Sequence, residues 1–342
     1  MRKTYKVLLL LLLASVLFFL PVLQSVGFAE AYGNLDSVYL GGTPIGLVAA
    51  SDHLIITETR LIITREGTKK AEGTELIQPG DLLISINGYQ VDSTEDVGRI
   101  VNSCKEDNVR LVIRRDGVES EVMVRPLVDI LENKKKLGII VKNEIAGIGT
   151  LTYVRADNKR FGGLGHPIFD EFSKGKSYYN KGYLYDARIV GIVKGEAGKA
   201  GELRGTFRRM DPICGTLEKN IFSGVFGISE DALFDKRPLI ALGSRDTVRQ
   251  GAAYIYTTID GTEPQKFEIE IVKAVHQNIA EDKSMVIHVT DPVLLEKTGG
   301  ICQGMSGSPI VQNGRLIGAV THVFINDPTR GYGIYVDWML PN

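Results

Sequence analysis

The sequence has few cysteines, few histidines and almost no net charge, and each of these features excludes a class of protein. Its three cysteines, Cys104, Cys214 and Cys302, are odd in number and far apart, so they predict no disulfide framework. The five histidines show no ligand spacing with cysteines or carboxylates, so we expect neither a metal site nor a cofactor. A formal net charge of −1 gives no indication of nucleic-acid binding.

Proline is also scarce, at 12 residues, whereas glycine is abundant, at 38. That balance is typical of a β-rich protein with many turns. The apolar fraction of 44% and the charged fraction of 24% are those of an ordinary globular protein. A length of 342 residues leaves room for two domains after a leader.

The N-terminus contains a targeting segment. Basic residues precede an uncharged apolar run at 7–23, and the small residues at 28–31 are spaced as signal peptidase requires. We predict that residues 1–31 form a hydrophobic helix, either a signal peptide or an uncleaved membrane anchor. Both alternatives place the rest of the chain outside the cytoplasm, because basic residues before the run favour an N-terminus inside.

Residues 36–128 predict one small β-domain. The segment 79–88, PGDLLISING, joins a strand to an Asn-Gly turn, and Ser93 begins a helix with apolar residues on one face. With the strand and RDG turn at 109–117, this order resembles a bacterial PDZ domain, which binds a peptide as an added strand beside a glycine-rich loop. The resemblance places the peptide-binding loop at Gly41, Gly42, Ile45, Gly46 and Leu47.

A charged linker is predicted at 129–136, and residues 137–342 predict a second domain. This domain contains short β-like runs, such as 187–193 and 267–272, and turn residues separate many of them. That pattern indicates a β-barrel or sandwich. The predicted fold is therefore mainly β: an N-terminal hydrophobic helix, a PDZ-like domain and then a β-barrel domain.

Residues 304–309, GMSGSP, contain the candidate nucleophile. A serine between two glycines, followed by a proline and a hairpin, is how trypsin-like peptidases present their catalytic serine, so we predict a trypsin-like double β-barrel with Ser306 as nucleophile. Gly304 can adopt a positive φ, which turns its N–H toward the same point as the N–H of Ser306. These two groups form the predicted oxyanion hole. Gly307 is expected to let the substrate backbone approach.

His166 is the predicted general base. It follows glycine-rich residues at 162–165, which leave space for its ring to face a nucleophile. His322, shortly after the serine hairpin, is the alternative base. Spacing does not decide which acid would orient the ring, and four candidates stay open: Asp170, Asp246, Asp260 and Asp291.

The motifs at 146–150, 164–170 and 298–309 resemble the family of stage IV sporulation protein B, the exported serine peptidases of endospore-forming bacteria. The resemblance runs nearly end to end. It implies a triad of His166, Asp291 and Ser306, and action in the space between mother cell and forespore. It also implies that the chain cleaves a membrane-bound regulator and its own N-terminal region, with help from the PDZ domain.

Some features depart from the trypsin pattern. Asp291 lies closer to the serine than the trypsin acid does, and Met305 replaces the aspartate that usually precedes the serine. A zymogen switch through that carboxylate is therefore not expected.

Two other functions fit the sequence less well than a peptidase does. A non-catalytic PDZ scaffold would need only the peptide groove, but this chain contains serine, histidine and aspartate together. An ester hydrolase of the α/β-hydrolase type would need a long helix after its serine, and here a proline and a strand follow Ser306.

Overall fold

The computed structural model describes residues 37–169, 178–230 and 237–340. These residues are mainly β, as predicted. The predicted leader at 1–31 and the candidate acid Asp170 lie outside them. Within the described ranges, no helix is both long enough and apolar enough to span a bilayer.

The first part of the described chain contains helix α1, Thr94–Ser103. Ser93 caps this helix as predicted, because its hydroxyl oxygen accepts a hydrogen bond from the N–H of Asp96. A 3₁₀ turn lies at Thr74–Leu76. The strands here are β1 Ser37–Leu40, β2 Pro44–Thr59, β3 Ile62–Thr64, β4 Gly67–Lys69, β5 Leu82–Ile86, β6 Tyr89–Gln90, β7 Val109–Arg115, β8 Val118–Val124, β9 Leu127–Asp129, β10 Lys134–Lys136 and β11 Ile139–Arg155.

The remaining part is built from strands with helices α2, Pro292–Thr298, and α3, Val336–Met339, near its end. A second 3₁₀ turn lies at Arg245–Thr247. The strands are β12 Arg160–Gly163, β13 Tyr179–Asp186, β14 Arg188–Val193, β15 Gly201–Thr206, β16 Ile213–Ile221, β17 Gly224–Ser229, β18 Leu239–Leu242, β19 Gly251–Thr257, β20 Gln265–Ala274, β21 Met285–Val289, β22 Cys302–Gln303, β23 Pro309–Gln312, β24 Arg315–Phe324 and β25 Asp327–Tyr335.

Strands β2 and β11 are long, and together they run through both domains. Residues 139–142 of β11 pair with 55–59 of β2, and residues 144–150 pair with 44–50. Between these two stretches, residues 51–54 of β2 lie opposite Asn143 alone, so a bulge interrupts the ladder. The bulge marks the junction between the two domains.

The hydrophobic cores largely divide at this bulge, although Ile55 and Leu82 beyond it still belong to the cluster of the second domain. Leu54 packs with Ile100 of α1 in the core of the PDZ-like domain. Ile45 and Leu47 instead pack with Leu164 in the core of the second domain. The PDZ-like domain is therefore inserted after residue 50 of a larger domain, whereas the sequence predicted that residues 36–50 belong to the PDZ-like domain.

The predicted peptide-binding loop consequently lies in the wrong place. Residues 45–50 of β2 pair with β11 on one edge and with β13 on the other, so neither edge can accept an added strand. Ile45 and Leu47 are buried, and a Cβ at Gly41 would lie 2.1 Å from the carbonyl oxygen of Leu151. Gly42 and Gly46 are also enclosed, by Tyr256 and by the ring of Phe207 respectively.

The segment predicted as a linker, 129–136, is an ordered hairpin. Strands β9 and β10 pair antiparallel, and the ammonium of Lys136 lies 3.3 Å from the Asp129 carboxylate. The Asn102 side chain of α1 bonds to both the N–H and the carbonyl of Lys135, at 2.8 and 3.2 Å. The hairpin is therefore attached to helix α1.

Candidate active site

The nucleophile loop connects β22 to β23. Gly304 and Gly307 have φ values of +96° and +94°, a conformation that favours glycine at both positions. A Cβ at Gly307 would lie 2.1 Å from the carbonyl oxygen of Thr150 and 2.4 Å from the nitrogen of Leu164. Gly307 therefore lets the loop pack against β11 and the histidine loop, a reason different from the expected approach of substrate.

Two threonines of β11 fix the carbonyls of those glycines. The hydroxyl of Thr150 donates to Gly304 O at 2.8 Å, and the hydroxyl of Thr152 donates to Gly307 O at 2.7 Å. The N–H of Thr150 also donates to Ser306 O at 3.1 Å. Sequence reasoning gave these threonines no role, although their i, i+2 spacing puts both side chains on one face of a strand.

Ser306 is half-buried, and its hydroxyl donates to the carbonyl oxygen of Thr321 at 2.8 Å. The N–H groups of Gly307 and Ser308 donate to carbonyls within the fold. In the described ranges, the N–H of Ser306 makes no such backbone hydrogen bond outside the strands. This N–H is thus available to an oxyanion, a role that stays a prediction for Ser306 and Gly304.

His166 follows two residues in the left-handed conformation, Leu164 at φ +65° and Gly165 at φ +70°. This sharp turn after β12 brings Gly165 against Thr321, since a Cβ there would lie 2.9 Å from the Thr321 methyl group. The imidazole contacts the ring of His322, with centroids 5.2 Å apart and an interplanar angle of 38°. His322, the alternative base, therefore lies in contact with His166, the leading candidate.

Residues 320–322 of β24 are where the two loops meet. The N–H of Gly307 donates to Val320 O, the Ser306 hydroxyl donates to Thr321 O, and the His322 ring contacts His166. No hydrogen bond joins Ser306 to His166 in the part of the chain that the structure describes. In unliganded enzymes such bonds are often long and tighten only when substrate binds.

The surroundings of both histidines lower their pKa values. Burial lowers the pKa of His166 below its ordinary value, and the hydrogen bond with Pro167 and the charge of Asp282 oppose that shift. Burial also lowers the pKa of His322, followed by the like charges of His166 and Lys283, with Asp282 again opposing. A general base must be unprotonated to accept a proton, so this environment suits His166.

Asp291 is not brought to the histidine; it caps helix α2. Its Oδ1 accepts the N–H groups of Val293 and Leu294, both at 3.0 Å, and its Oδ2 accepts that of Glu268 at 3.3 Å. These three N–H groups use only part of the acceptor capacity of the carboxylate, so the triad role of Asp291 stays a prediction. The Asp-Pro pair at 291–292 was the available sequence pattern for a helix start.

The other described candidate acids lie at the surface. Asp246 is exposed in the 3₁₀ turn, and Asp260 is exposed in a bend. Neither of them, nor Asp291, forms a hydrogen bond with His166 among the described residues.

Comparison with known proteins identifies the family. Residues 133–340, more than half of the chain, match the family described as SpoIVB peptidase S55, and residues 74–115 match a PDZ domain. The chain belongs to the SpoIVB peptidase family S55, and it is a serine peptidase with a PDZ domain. A PDZ domain binds peptides and a peptidase acts on protein substrates, so both kinds of partner follow from the family.

One curated relative shares a shorter region. It is described as a putative zinc metalloprotease of Mesorhizobium japonicum, and it is 36% identical over 72 residues. The match covers 21% of this chain and 19% of the relative's length. In this chain, no group of three His, Cys, Asp or Glu side chains in the described ranges could hold a metal ion.

A groove in the PDZ domain is the second candidate site. It has a volume of about 440 Å³ and lies between α1 and residues 137–141. Val97, Gly98 and Val101 line it from the helix side. On the other side, residues 139–141 of β11 pair with β2 along one edge, and no second strand pairs with them in the described chain.

Proposed function

We propose that this chain is an exported serine endopeptidase of sporulation signalling, which cleaves a membrane-bound regulator and its own N-terminal region. Its family supports the sporulation role, and its PDZ domain supports the recognition of protein chains. The observation that carries the proposal is the meeting of the Ser306 loop and the His166 loop on β24.

In this proposal Ser306 is the nucleophile and His166 is the base. When substrate binds, the Ser306 hydroxyl leaves Thr321 O and donates to the free ring nitrogen of His166. Its oxygen attacks the scissile carbonyl carbon, the proton passes to the imidazole, and the N–H groups of Gly304 and Ser306 stabilise the oxyanion. The imidazolium then gives that proton to the leaving amine, and water hydrolyses the acyl-enzyme by the same route.

The variant Ser306→Ala tests this function, and Ser308→Ala is its matched control. The Ser308 hydroxyl is buried two residues away without a hydrogen-bond partner, so its removal should leave the rate unchanged. We expect Ser306→Ala to lower the rate by about 10⁴- to 10⁶-fold. Labelling by a fluorophosphonate probe and self-cleavage of residues 31–342, followed on a gel, measure the effect. Equal labelling of both variants would contradict the proposal.

Export is part of the same proposal and depends on residues 1–31. A fusion of residues 1–36 to alkaline phosphatase, which is active only outside the cytoplasm, should be active. Replacing Arg2, Lys3 and Lys6 with glutamate should reduce that activity, because the basic residues direct the orientation. An inactive fusion of the natural segment would refute export.

We further propose that the groove between α1 and β11 is where the PDZ domain binds the chain to be cleaved. The unpaired edge of residues 139–141 offers backbone groups to an added strand, and the apolar helix face offers pockets for its side chains.

Gly98 of α1 lines the groove, so a larger side chain at this position would occupy part of it. A Cβ at Gly98 would meet no atom within 4 Å, so Gly98→Leu introduces an apolar side chain at an open position of the groove, and Gly98→Ala controls for the helix. We expect the leucine variant to weaken binding of a fluorescent peptide of residues 24–36 at least about tenfold, a loss of about 1.4 kcal/mol. The alanine variant should bind normally. Unchanged binding by the leucine variant would place the peptide elsewhere.

A further inference from the structure

Two neighbouring hairpins of the PDZ domain expose apolar side chains. The N–H of Ile130, just after β9, donates to the carbonyl oxygen of Ile63 in β3 at 2.9 Å, so the β9–β10 hairpin lies beside the β3–β4 hairpin. Four large apolar residues of these hairpins are between 42% and 74% exposed: Ile63, Val128, Ile130 and Leu131. A cluster of exposed apolar side chains indicates a surface that contacts another molecule.

The same two hairpins are basic. Residues 60–70 and 127–136 contain seven basic and three acidic residues, a formal charge of +4, whereas the formal charge of the whole chain is −1. Lys69 and Lys136 pair with neighbouring glutamates. Three other basic residues are exposed and form no ion pair among the described residues: Arg65, Lys70 and Lys134. Their charges are therefore available to an anionic partner.

A cleft between the hairpins combines both features. It has a volume of about 460 Å³, and it is lined by Arg65 and Lys69 from one hairpin and by Val128 and Ile130 from the other. Cationic groups beside apolar side chains match the two parts of an anionic phospholipid, which are the phosphate headgroup and the acyl chains beneath it. A protein partner fits less well, because the hot spots of protein interfaces are enriched in tryptophan and tyrosine. The two hairpin segments contain no aromatic residue.

We infer that these hairpins dock the PDZ domain on the surface of a bilayer that contains anionic phospholipids. The docking surface, here called the basic patch, consists of the four exposed apolar residues and the three unpaired cations. The apolar side chains enter the membrane interface, and the cations lie among the headgroup phosphates. Leu61, two residues before Ile63, lines the groove between α1 and β11, so docking places this groove beside the membrane. The inference goes beyond the proposed peptidase function and does not depend on Ser306.

Sedimentation with lipid vesicles tests the docking. Residues 37–342 are used, because the hydrophobic helix predicted at 1–31 would itself bind vesicles, and the described cores are built from residues 38–340. Binding to vesicles of equal parts phosphatidylglycerol and phosphatidylcholine should be at least about tenfold tighter than to phosphatidylcholine alone, and should weaken as salt is added. Equal binding to both kinds of vesicle would overturn the inference. Ser306→Ala should bind like the natural protein even if it no longer cleaves, which separates docking from the proposed function.

Removal of the unpaired cations tests their part in docking. The combined variant Arg65→Gln, Lys70→Gln and Lys134→Gln should bind the anionic vesicles about 100-fold more weakly, since each basic residue near such a surface contributes about fivefold. The matched control removes three exposed lysines of the second domain, which form no ion pair in the described ranges: Lys194→Gln, Lys199→Gln and Lys219→Gln. The control changes the net charge equally and should bind like the natural protein. Equal losses in both variants would overturn the inference, because net charge alone would then drive binding.

Fluorescence tests whether the apolar part of the basic patch enters the bilayer. Leu131→Trp adds a tryptophan to the patch, and Val118→Trp, at an exposed position of β8, is its control. Phospholipids brominated on their acyl chains should quench the added emission of Leu131→Trp and leave that of Val118→Trp unchanged, with the signal of the natural Trp338 subtracted. A vesicle-bound Leu131→Trp protein that is not quenched would overturn the inference.

A last variant separates a membrane surface from an extension of the peptide groove. Ile63→Ser combined with Ile130→Ser should weaken vesicle binding at least about tenfold and leave the melting temperature nearly unchanged, because both side chains are exposed. The variant should still bind the fluorescent peptide of residues 24–36 normally. Weakened peptide binding with unchanged vesicle binding would show that the patch contacts a protein chain, and would overturn the inference.

Discussion

At the residue scale, the chemistry of the site depends on two imidazoles in contact. His166 is partly buried, whereas His322 is more exposed. Burial of the part of each ring that is enclosed is the main cause of the lowered pKa of both histidines. The more enclosed ring has its Nδ1 2.9 Å from a carbonyl oxygen, and the more exposed ring contacts it with centroids 5.2 Å apart. This difference in surroundings favours His166 as the base.

The lowered pKa predicts the pH dependence of activity. A base acts when unprotonated, so the rate of fluorophosphonate labelling should rise with pH through a midpoint below about 6.5 and be level at neutral pH. His322→Gln should retain this profile. If the rise instead disappears in His322→Gln and persists in His166→Gln, the two roles are reversed. The same shift makes both rings stabilise the fold above pH 6.5, an effect lost as pH falls toward the lowered pKa values.

The sequence predicted the backbone conformation of the nucleophile loop, whereas it left the choice of the acid open. Gly304 has the positive φ that its place before Ser306 suggested, because turn chemistry is local. Spacing left four candidate aspartates open, because the distance of each from the histidine depends on how distant strands pair. The contact of His166 Nδ1 is with the carbonyl of the next residue. Every residue has a backbone carbonyl, so no sequence pattern could predict this contact.

At the scale of elements, β11 supports the nucleophile loop through Thr150 and Thr152. The hydroxyl of Thr152 is fully buried and satisfies the carbonyl of Gly307. Removal of this donor would leave a buried carbonyl unsatisfied, which costs more than the hydrogen bond itself contributes. The loop's shape is therefore fixed by a neighbouring strand as well as by its own glycines.

Thr152→Val tests this support. The change keeps the shape of the side chain and removes the donor, so the free energy of unfolding should fall by about 1–3 kcal/mol. Thr257→Val is the matched control, because the hydroxyl of Thr257 is also fully buried and has no hydrogen-bond partner. It should be neutral or stabilising. Denaturant unfolding measures the free energy of unfolding of the two variants. An equal loss of stability in both would contradict the prediction.

Local patterns predicted individual elements well and their pairing poorly. The Asn-Gly turn, the cap at Ser93 and the helix it begins appear where the sequence placed them. Residues 44–50, by contrast, pair with two strands that lie about 100 and about 135 positions further along the chain, and no local pattern encodes those partners. The PDZ domain was therefore recognised, whereas the loop predicted to bind its peptide is paired on both edges in the other domain.

At the scale of the whole molecule, the two domains share a pair of strands. β2 and β11 contribute to both cores, and Ile55 and Leu82 of the PDZ side are buried in the same cluster as Ile45. A domain joined by two paired strands and an apolar contact has little freedom to unfold alone.

We therefore predict one cooperative unfolding transition. Calorimetry of residues 37–342 should show a single peak whose van't Hoff and calorimetric enthalpies agree. Gly98→Ala should shift that whole peak upward, because alanine favours the helix by about 1 kcal/mol. Two peaks, of which only one responds to the substitution, would show that the bulge at Asn143 separates the domains energetically.

The insertion of the PDZ domain also determines what a cut in the chain would do. Residues 37–50 supply β1 and the first half of β2 to the peptidase core, and β11 and β13 enclose that part of β2. A nick at the exposed turn of the β7–β8 hairpin would yield two fragments on a denaturing gel. The same fragments should co-elute in gel filtration as one reassociated particle, so processing inside the PDZ domain would not release the catalytic domain.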